Sequence, residues 1–164
     1  MTPDIFRTYA RYNAWMNANI FGGCERISDE IRKTDLGAFF KSIHGTLNHM
    51  MIGDRFWMAR FTGGPLPGVP LNTILFENFA DLWTARQAMD KDITDFCATV
   101  TDTWLATAFT FTSVTYKKTF TYPNWLLMMQ MFNHQTHHRG QVTTLMMQQG
   151  VDPGVTDLPA MPAA

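Results

Sequence analysis

Cysteine is scarce in this sequence. The 164 residues include two, Cys24 and Cys97, which is too few for the disulfide framework of a small secreted protein. We expect two buried thiols in a reducing cytoplasm, although the sequence alone leaves a bridge between them open.

Excess charge and long apolar runs are missing as well. The formal net charge is −1, so the sequence lacks the basic excess expected of a protein that binds nucleic acid or an anionic membrane. No stretch approaches the ~18 consecutive apolar residues of a transmembrane helix. Residues 1–13 also lack the apolar core of a signal peptide. We therefore expect a cytoplasmic protein with no nucleic-acid or membrane partner.

Apolar residues, by contrast, are abundant. They make up 46% of the chain and include 12 methionines and 13 phenylalanines. A chain of this length can bury a substantial core without metal or disulfide staples, and methionine adapts well to irregular core space. The sequence predicts one domain, residues 1–164.

Four long segments carry apolar residues at the three- and four-residue spacing of amphipathic helices. Their predicted bounds are Asp4–Phe21, ended by Gly22-Gly23; Phe39–Phe61; Phe76–Asp102; and Trp125–Gln149. In the third segment, Asp81, Asp90, Lys91 and Asp95 are assigned to the solvated side. Four such helices predict an all-α four-helix bundle, a fold that builds ligand and metal sites between facing helices.

A short segment before the last helix has a different period. Phe109–Thr112 and Lys118–Tyr122 alternate threonine with aromatic residues, which favours β-strands. We expect a small β-hairpin there.

Three of the five histidines lie close together in the last predicted helix. His134 and His138 are four residues apart, so they share one face of a helix and can converge on a metal ion. His134 and His137 are three residues apart, a geometry that is equally acceptable. The apolar stripe of this helix favours His138, but spacing alone leaves the choice open.

A catalytic zinc site normally has three protein ligands, so a third histidine must come from elsewhere. The second predicted helix contains His44 and His49, which project in different directions. His49 is the better candidate because small residues, Gly45 and Gly53, lie one turn before and after it. The alternative is that these histidines pack in the protein without binding metal.

The polar residues near the histidines restrict the chemistry. Gln135 stands where a His-Glu-x-x-His metalloprotease has its general base, which argues against peptide hydrolysis by that route. Asp54 is a candidate to orient a ligand, to form a buried ion pair, or to lie at a helix edge. Asn133 and Arg139 flank the histidines at angles expected to face outward.

Three blocks of the sequence resemble the DinB (DinB/YfiT-like) family of bacterial proteins. They are Tyr12–Asn17 in the first helix, Leu47–Trp57 in the second and Asn133–Gln141 in the last. The resemblance implies a four-helix bundle of up-down-down-up topology, often dimeric. It also implies a divalent metal, usually zinc or nickel, held by His49, His134 and His138.

The resemblance also suggests functions, because the superfamily includes thiol-dependent enzymes such as bacillithiol S-transferases and mycothiol-dependent maleylpyruvate isomerase. We expect a metal-dependent thiol S-transferase or hydrolase acting on a small molecule, with a low-molecular-weight thiol as a candidate partner. A thiol-dependent isomerase and a non-catalytic metal-binding or stress-response protein are the alternatives. A homodimer is also expected.

Overall fold

Helices dominate the structure, a computed structural model that describes residues 2–113 and 116–163. The four long helices are α1 (Pro3–Glu25), α3 (Ile43–Thr62), α4 (Phe79–Thr99) and α6 (Asn124–Gln148). The shorter elements are the helices α2 (Asp29–Lys33) and α5 (Asp102–Ala106), the strands β1 (Ala108–Thr112) and β2 (Thr119–Pro123), and a 3₁₀ turn at Leu158–Ala160. The prediction of a mainly helical chain with one small antiparallel sheet is confirmed.

The second long helix begins later than predicted. Lys41 has a φ of 67°, outside the helical region, so the chain turns there instead of continuing the helix from Phe39. Ser42 then caps α3, and its hydroxyl oxygen accepts the N–H of Gly45 at 3.0 Å. The helix ends at Gly63, whose φ of 72° is the left-handed conformation that glycine adopts readily.

The predicted stop of the first helix at Gly22-Gly23 is wrong, because α1 continues to Glu25. Gly23 lies against the side chain of Met146 in α6, and a Cβ atom here would require the flexible methyl end of that side chain to shift. The third long helix also ends earlier than predicted, at Thr99, and Thr101 caps the short α5 that follows.

The predicted hairpin is present immediately before α6. Strands β1 and β2 pair antiparallel, with Phe111 opposite Phe120 and Thr110 opposite Thr121. The threonine hydroxyls of the second pair lie 2.8 Å apart on the exposed face. The aromatic side chains occupy the other face. Part of the hairpin turn, at 114–115, lies outside the described residues.

Two pairs of long helices run antiparallel. Phe21 near the end of α1 stacks on Phe79 at the start of α4, with ring centroids 5.6 Å apart. Phe40, just before α3, lies edge-on to His138 in the second half of α6, at 5.6 Å. The helix α1 is thus antiparallel to α4, and α3 is antiparallel to α6.

The other two contacting pairs run parallel. Gly23 near the end of α1 lies against Met146 near the end of α6. Phe61 near the end of α3 stacks on Phe96 near the end of α4, with centroids 5.7 Å apart. A parallel pair of consecutive long helices requires a long connection, and residues 63–78 supply it.

The apolar core forms two clusters along the helices. One contains Met16, Leu47 and Met146, and the other contains Phe6, Ile93 and Met131. Residues between these levels on all four long helices are buried but polar. The core is therefore divided by a polar layer.

Within residues 2–113 and 116–163, no helix is both long enough and apolar enough to span a bilayer. Cys24 and Cys97 are buried free thiols. Burial raises the pKa of each thiol to about 12.

Candidate metal centre

The structure brings His49, His134 and His138 together between α3 and α6. The Nε2 atom of His134 lies 3.0 Å from Nε2 of His49 and 3.1 Å from Nε2 of His138. One ring nitrogen from each of the three residues lies within 4.8 Å of the others, so the cluster could hold a metal ion. The antiparallel packing of α3 and α6 creates this convergence, because residues 85 positions apart meet at one level.

Two of the three rings are oriented by hydrogen bonds through their outer nitrogens. Nδ1–H of His49 donates to the backbone carbonyl of Leu71 at 2.7 Å. Nδ1–H of His138 donates to Oε1 of Gln141 at 2.7 Å. These bonds place the proton on Nδ1 and leave the Nε2 lone pair facing the cluster. Metal-binding histidines are commonly oriented in this way.

The ring of His134 has an environment that hydrogen bonds within the cluster do not fully explain. Nδ1 of His134 is buried and has no hydrogen-bond partner among the described residues. A neutral His134 can place one proton on Nε2 and donate it to one neighbour, but the other neighbour then has no donor. A metal ion would accept lone pairs from all three Nε2 atoms, so the donor set fits a divalent metal.

The protonation behaviour of the histidines is compatible with that role. Burial and, to a smaller extent, the neighbouring histidines lower the pKa of His134 to about 3. Burial likewise lowers the pKa of His138 to about 4 and also lowers the pKa of His49. The three rings are therefore neutral at pH 7, which is the form that binds metal.

The other two histidines lie outside the cluster. His44 is buried, and its Nε2–H donates to the carbonyl of Phe76 at 2.7 Å. His137 is exposed, and its ring lies edge-on to that of His138 at 4.8 Å. Spacing alone left His137 and His138 open as the partner of His134. The structure groups His138, and not His137, with His134 and His49.

The immediate surroundings of the cluster are tight. The ring of Phe40 stacks on that of His49, with centroids 3.7 Å apart. A Cβ atom on Gly53 would lie 2.7 Å from Cε1 of His134. The small residue that suggested His49 as a ligand therefore makes room for the partner histidine across the helix interface.

The connection between α3 and α4 is attached to α3 by polar contacts around His49. Oδ1 of Asn48 accepts the backbone N–H groups of Leu75 at 2.9 Å and Phe76 at 3.0 Å. The carbonyl of Leu71 accepts from His49, as described above. Asn48 itself is fully buried. The residues from Leu71 to Phe76 are thereby held against the cluster.

Asp54 belongs to a buried ion pair and does not orient a ligand. Its Oδ2 lies 2.5 Å from Nη1 of Arg86, and Nη2 of the same arginine lies 2.9 Å from Oδ1 of Asp90. All three residues are buried. The assignment of Asp90 to the solvated side was wrong, because its carboxylate is buried against Arg86 and against α1, a tertiary contact that local periodicity does not reveal.

The polar layer continues into α1 and α6. Asn13 and Asn17 donate to Oδ1 of Asp90 at 3.1 and 2.9 Å. Arg139, expected to face outward, is buried and donates to Oδ1 of Asn13. Gln135 is also buried and donates to the carbonyl of Met50 at 3.2 Å. The four-residue spacing of Asn13 and Asn17, and of Arg86 and Asp90, was the available signal for this layer.

A cavity of about 1190 Å³ opens beside the cluster. His49, Gly53 and His134 line one end of it. Six aromatic residues of α3 and of the hairpin also line it; they are Phe56, Trp57, Phe111, Tyr116, Phe120 and Tyr122. The cluster is therefore accessible to a small molecule from one side.

Comparison with known proteins relates the whole chain to one family. A family model described as the DinB family matches residues 1–164. The protein DinB of Bacillus subtilis (strain 168) is 23% identical over 171 residues, covering 96% of this chain and 92% of that protein. A crystal structure of a DinB-like protein from Bacillus cereus ATCC 10987 has a TM-score of 0.60 and 19% identity. The match covers 91% of this chain and 90% of that one.

Proposed function

The chain belongs to the DinB family, and from this premise we propose that His49, His134 and His138 bind a divalent metal ion through their Nε2 atoms. The observation that carries the proposal is the convergence of three Nε2 atoms, two of which have their outer nitrogen bonded to an acceptor. Zinc and nickel are the proposed metals, since imidazole suits both.

We also propose that the four long helices form a four-helix bundle of up-down-down-up order. The proposal is supported by the antiparallel contacts of α1 with α4 and of α3 with α6, together with the parallel contacts of the other two pairs. In such a bundle the histidines lie on the facing sides of two neighbouring helices.

For the reaction, we propose a metal-dependent thiol S-transferase or hydrolase. Three protein ligands would leave one coordination position of the metal open for a thiol or a water molecule. The metal would lower the pKa of the group bound at that position. The chain's own cysteines are buried and have raised pKa values, so a reacting thiol would come from a small-molecule partner. Leu71 and Gln141 hold the rings of His49 and His138 in the orientation that this requires.

The test combines metal analysis with a turnover assay. Protein prepared without a histidine tag is expected to retain about one zinc or nickel ion per chain, measured by inductively coupled plasma mass spectrometry. The metal-loaded protein is then mixed with small electrophiles, with and without low-molecular-weight thiols, and loss of the electrophile is followed. Absence of retained metal would contradict the binding proposal, and metal binding without turnover would contradict the enzymatic one.

A non-catalytic metal-binding protein is the second candidate, and one observation favours it. Among the described residues that line the cavity there is no aspartate or glutamate, so no carboxylate is available as a general base. Steady turnover in the assay above would exclude this candidate. Homodimer formation stays a prediction.

Substituting Gly53 tests the geometry of the cluster without removing a ligand. Gly53→Ala is expected to weaken metal binding about 10-fold or more, a loss comparable to that of an orienting partner, because the new Cβ would displace the ring of His134. The affinity is measured by competition with a chromophoric chelator.

Gly140→Ala is the matched control for this substitution. Gly140 is a helical glycine on α6 with open space where its Cβ would lie. The control is expected to keep wild-type metal affinity and to gain up to about 1 kcal/mol of helix stability. Equal metal affinities of the two variants would contradict the tight packing at Gly53.

A further inference from the structure

The cavity beside the histidines is elongated along α3. His49, Gly53, Phe56 and Arg60 all line it, and their spacing of four, three and four residues places them on one face of the helix. At a rise of 1.5 Å per residue, the backbone positions of His49 and Arg60 are roughly 16 Å apart along the axis. The histidine cluster and the arginine therefore lie toward opposite ends of the cavity.

The charge of the cavity lining is positive. Arg60 and Lys118 both line it, and no acidic residue does among the residues described. Arg60 forms no ion pair within the described part of the chain, and its Nε is buried without a hydrogen-bond partner. Three neutral imidazoles at the other end add no negative charge.

Arg60 is held in position by aromatic rings. Its guanidinium carbon lies 4.8 Å from the ring centroid of Phe111, 5.0 Å from that of Trp57 and 5.5 Å from that of Phe56. Such contacts fix the side chain without neutralising it. An arginine that is fixed, partly buried and without a carboxylate partner is suited to bind an anion through paired N–H groups.

The space between the two ends is largely apolar. Trp57 and Phe111 are in edge-to-face contact at 5.9 Å, which joins the wall of α3 to the hairpin. The aromatic face of the hairpin covers the cavity, and its threonine face is exposed. An aliphatic or aromatic body would be buried here, whereas a cationic group would be desolvated without a carboxylate partner.

We propose that the cavity binds an elongated organic anion, with its carboxylate paired to Arg60 and its apolar body along Trp57 and the hairpin. The opposite end of the molecule faces the histidines. The assignment of that end as the reacting one rests on the proposed function. The anion site at Arg60 does not, because it is argued from the residues around Arg60 alone. Lys118 contributes further positive charge at the cavity wall.

The experiment compares a carboxylate with its neutral analogue. Binding of 6-phenylhexanoate and 6-phenylhexan-1-ol is measured by isothermal titration calorimetry, with both chelator-treated and zinc-loaded protein. Wild-type protein is expected to bind the carboxylate at least about 10-fold more tightly in both forms, because of the charge-assisted hydrogen bonds. Equal affinities, or no binding of either compound, would overturn the proposal.

Variants assign the preference to Arg60. Arg60→Met is expected to reduce the preference for the carboxylate to about 2-fold or less, and Arg60→Lys to retain part of it. Arg55→Met is the control, since the guanidinium of Arg55 lies over Phe76 and outside the cavity lining. Circular dichroism and thermal midpoints establish that each variant is folded. A folded Arg60→Met protein with the full preference would refute the assignment, and if that variant fails to fold, Arg60→Gln, which also lacks the positive charge, decides by the same criterion.

The metal titration keeps the two proposals separate. A carboxylate preference that depends on Arg60 in a protein that retains no metal would support the anion site and refute the metal-dependent function. Tight metal binding without a carboxylate preference would support the metal site and refute the anion site.

Discussion

His134→Ala is expected to lower the affinity for zinc or nickel by more than about 100-fold. Loss of a direct ligand should exceed the 10- to 100-fold loss that follows removal of an orienting partner. Nε2 of His134 is the central atom of the cluster, at 3.0 and 3.1 Å from the other two. Without it, two imidazoles remain, which is fewer than a catalytic zinc site uses. Chelator competition with untagged protein measures the loss.

A second measurement separates lost metal binding from lost folding. Metal at 100 times its dissociation constant stabilises the native state by about 2.7 kcal/mol, so wild-type protein should show a clear rise in thermal midpoint when metal is added. His134→Ala should be folded but show no such rise. His137→Ala is the control, because this exposed histidine lies outside the cluster. The ligand assignment is wrong if both variants bind metal alike.

Arg86→Met is expected to destabilise the fold by about 3–5 kcal/mol, as is typical when one partner of a buried ion pair is removed. The substitution leaves two buried carboxylates, those of Asp54 and Asp90, without their cationic partner. Burial already favours their neutral forms, and it raises the pKa of both groups. For a chain of this size, the thermal midpoint should fall by roughly 10 °C, which calorimetry can measure.

An exposed ion pair on the same helix provides the control. Lys91 and Asp95 are paired across one turn of α4, and both side chains are exposed. Lys91→Met should leave the thermal midpoint nearly unchanged, since such surface pairs add little. If the two variants lose the same stability, the buried layer has no special energetic role. Arg86→Met protein that is still folded should bind metal normally, because Arg86 contacts none of the three histidines.

Local periodicity was sufficient to predict the histidine cluster in outline. The spacing of His134 and His138 places them on one helical face, and the small residues around His49 indicated where another helix could approach. Both spacings suit a metal, so the preference for His138 over His137 came from the apolar stripe of the helix and from the family resemblance. The structure then grouped His138 with the other two and left His137 exposed.

The polar layer could not be predicted in the same way. A charged residue on an amphipathic helix is ordinarily solvated, and this expectation was wrong for Asp90 and Arg139. Part of their bonding comes from Asn13 and Asn17 of α1, so the burial is fully compensated only after the helices pack. The end of α1 was missed for a related reason. Gly23 packs against Met146 of α6, a tertiary contact that the local sequence does not contain.

The connection between α3 and α4 has unequal freedom along its length. Its second part is bonded to Asn48 and His49 through the backbone of Leu71, Leu75 and Phe76. Residues 63–70 make no such bonds to α3. Insertions and deletions during evolution should therefore accumulate before Leu71, because a change of even one residue after it would shift the carbonyl that orients His49. Residues 71–76 have no regular secondary structure, but their number is thus fixed by these hydrogen bonds.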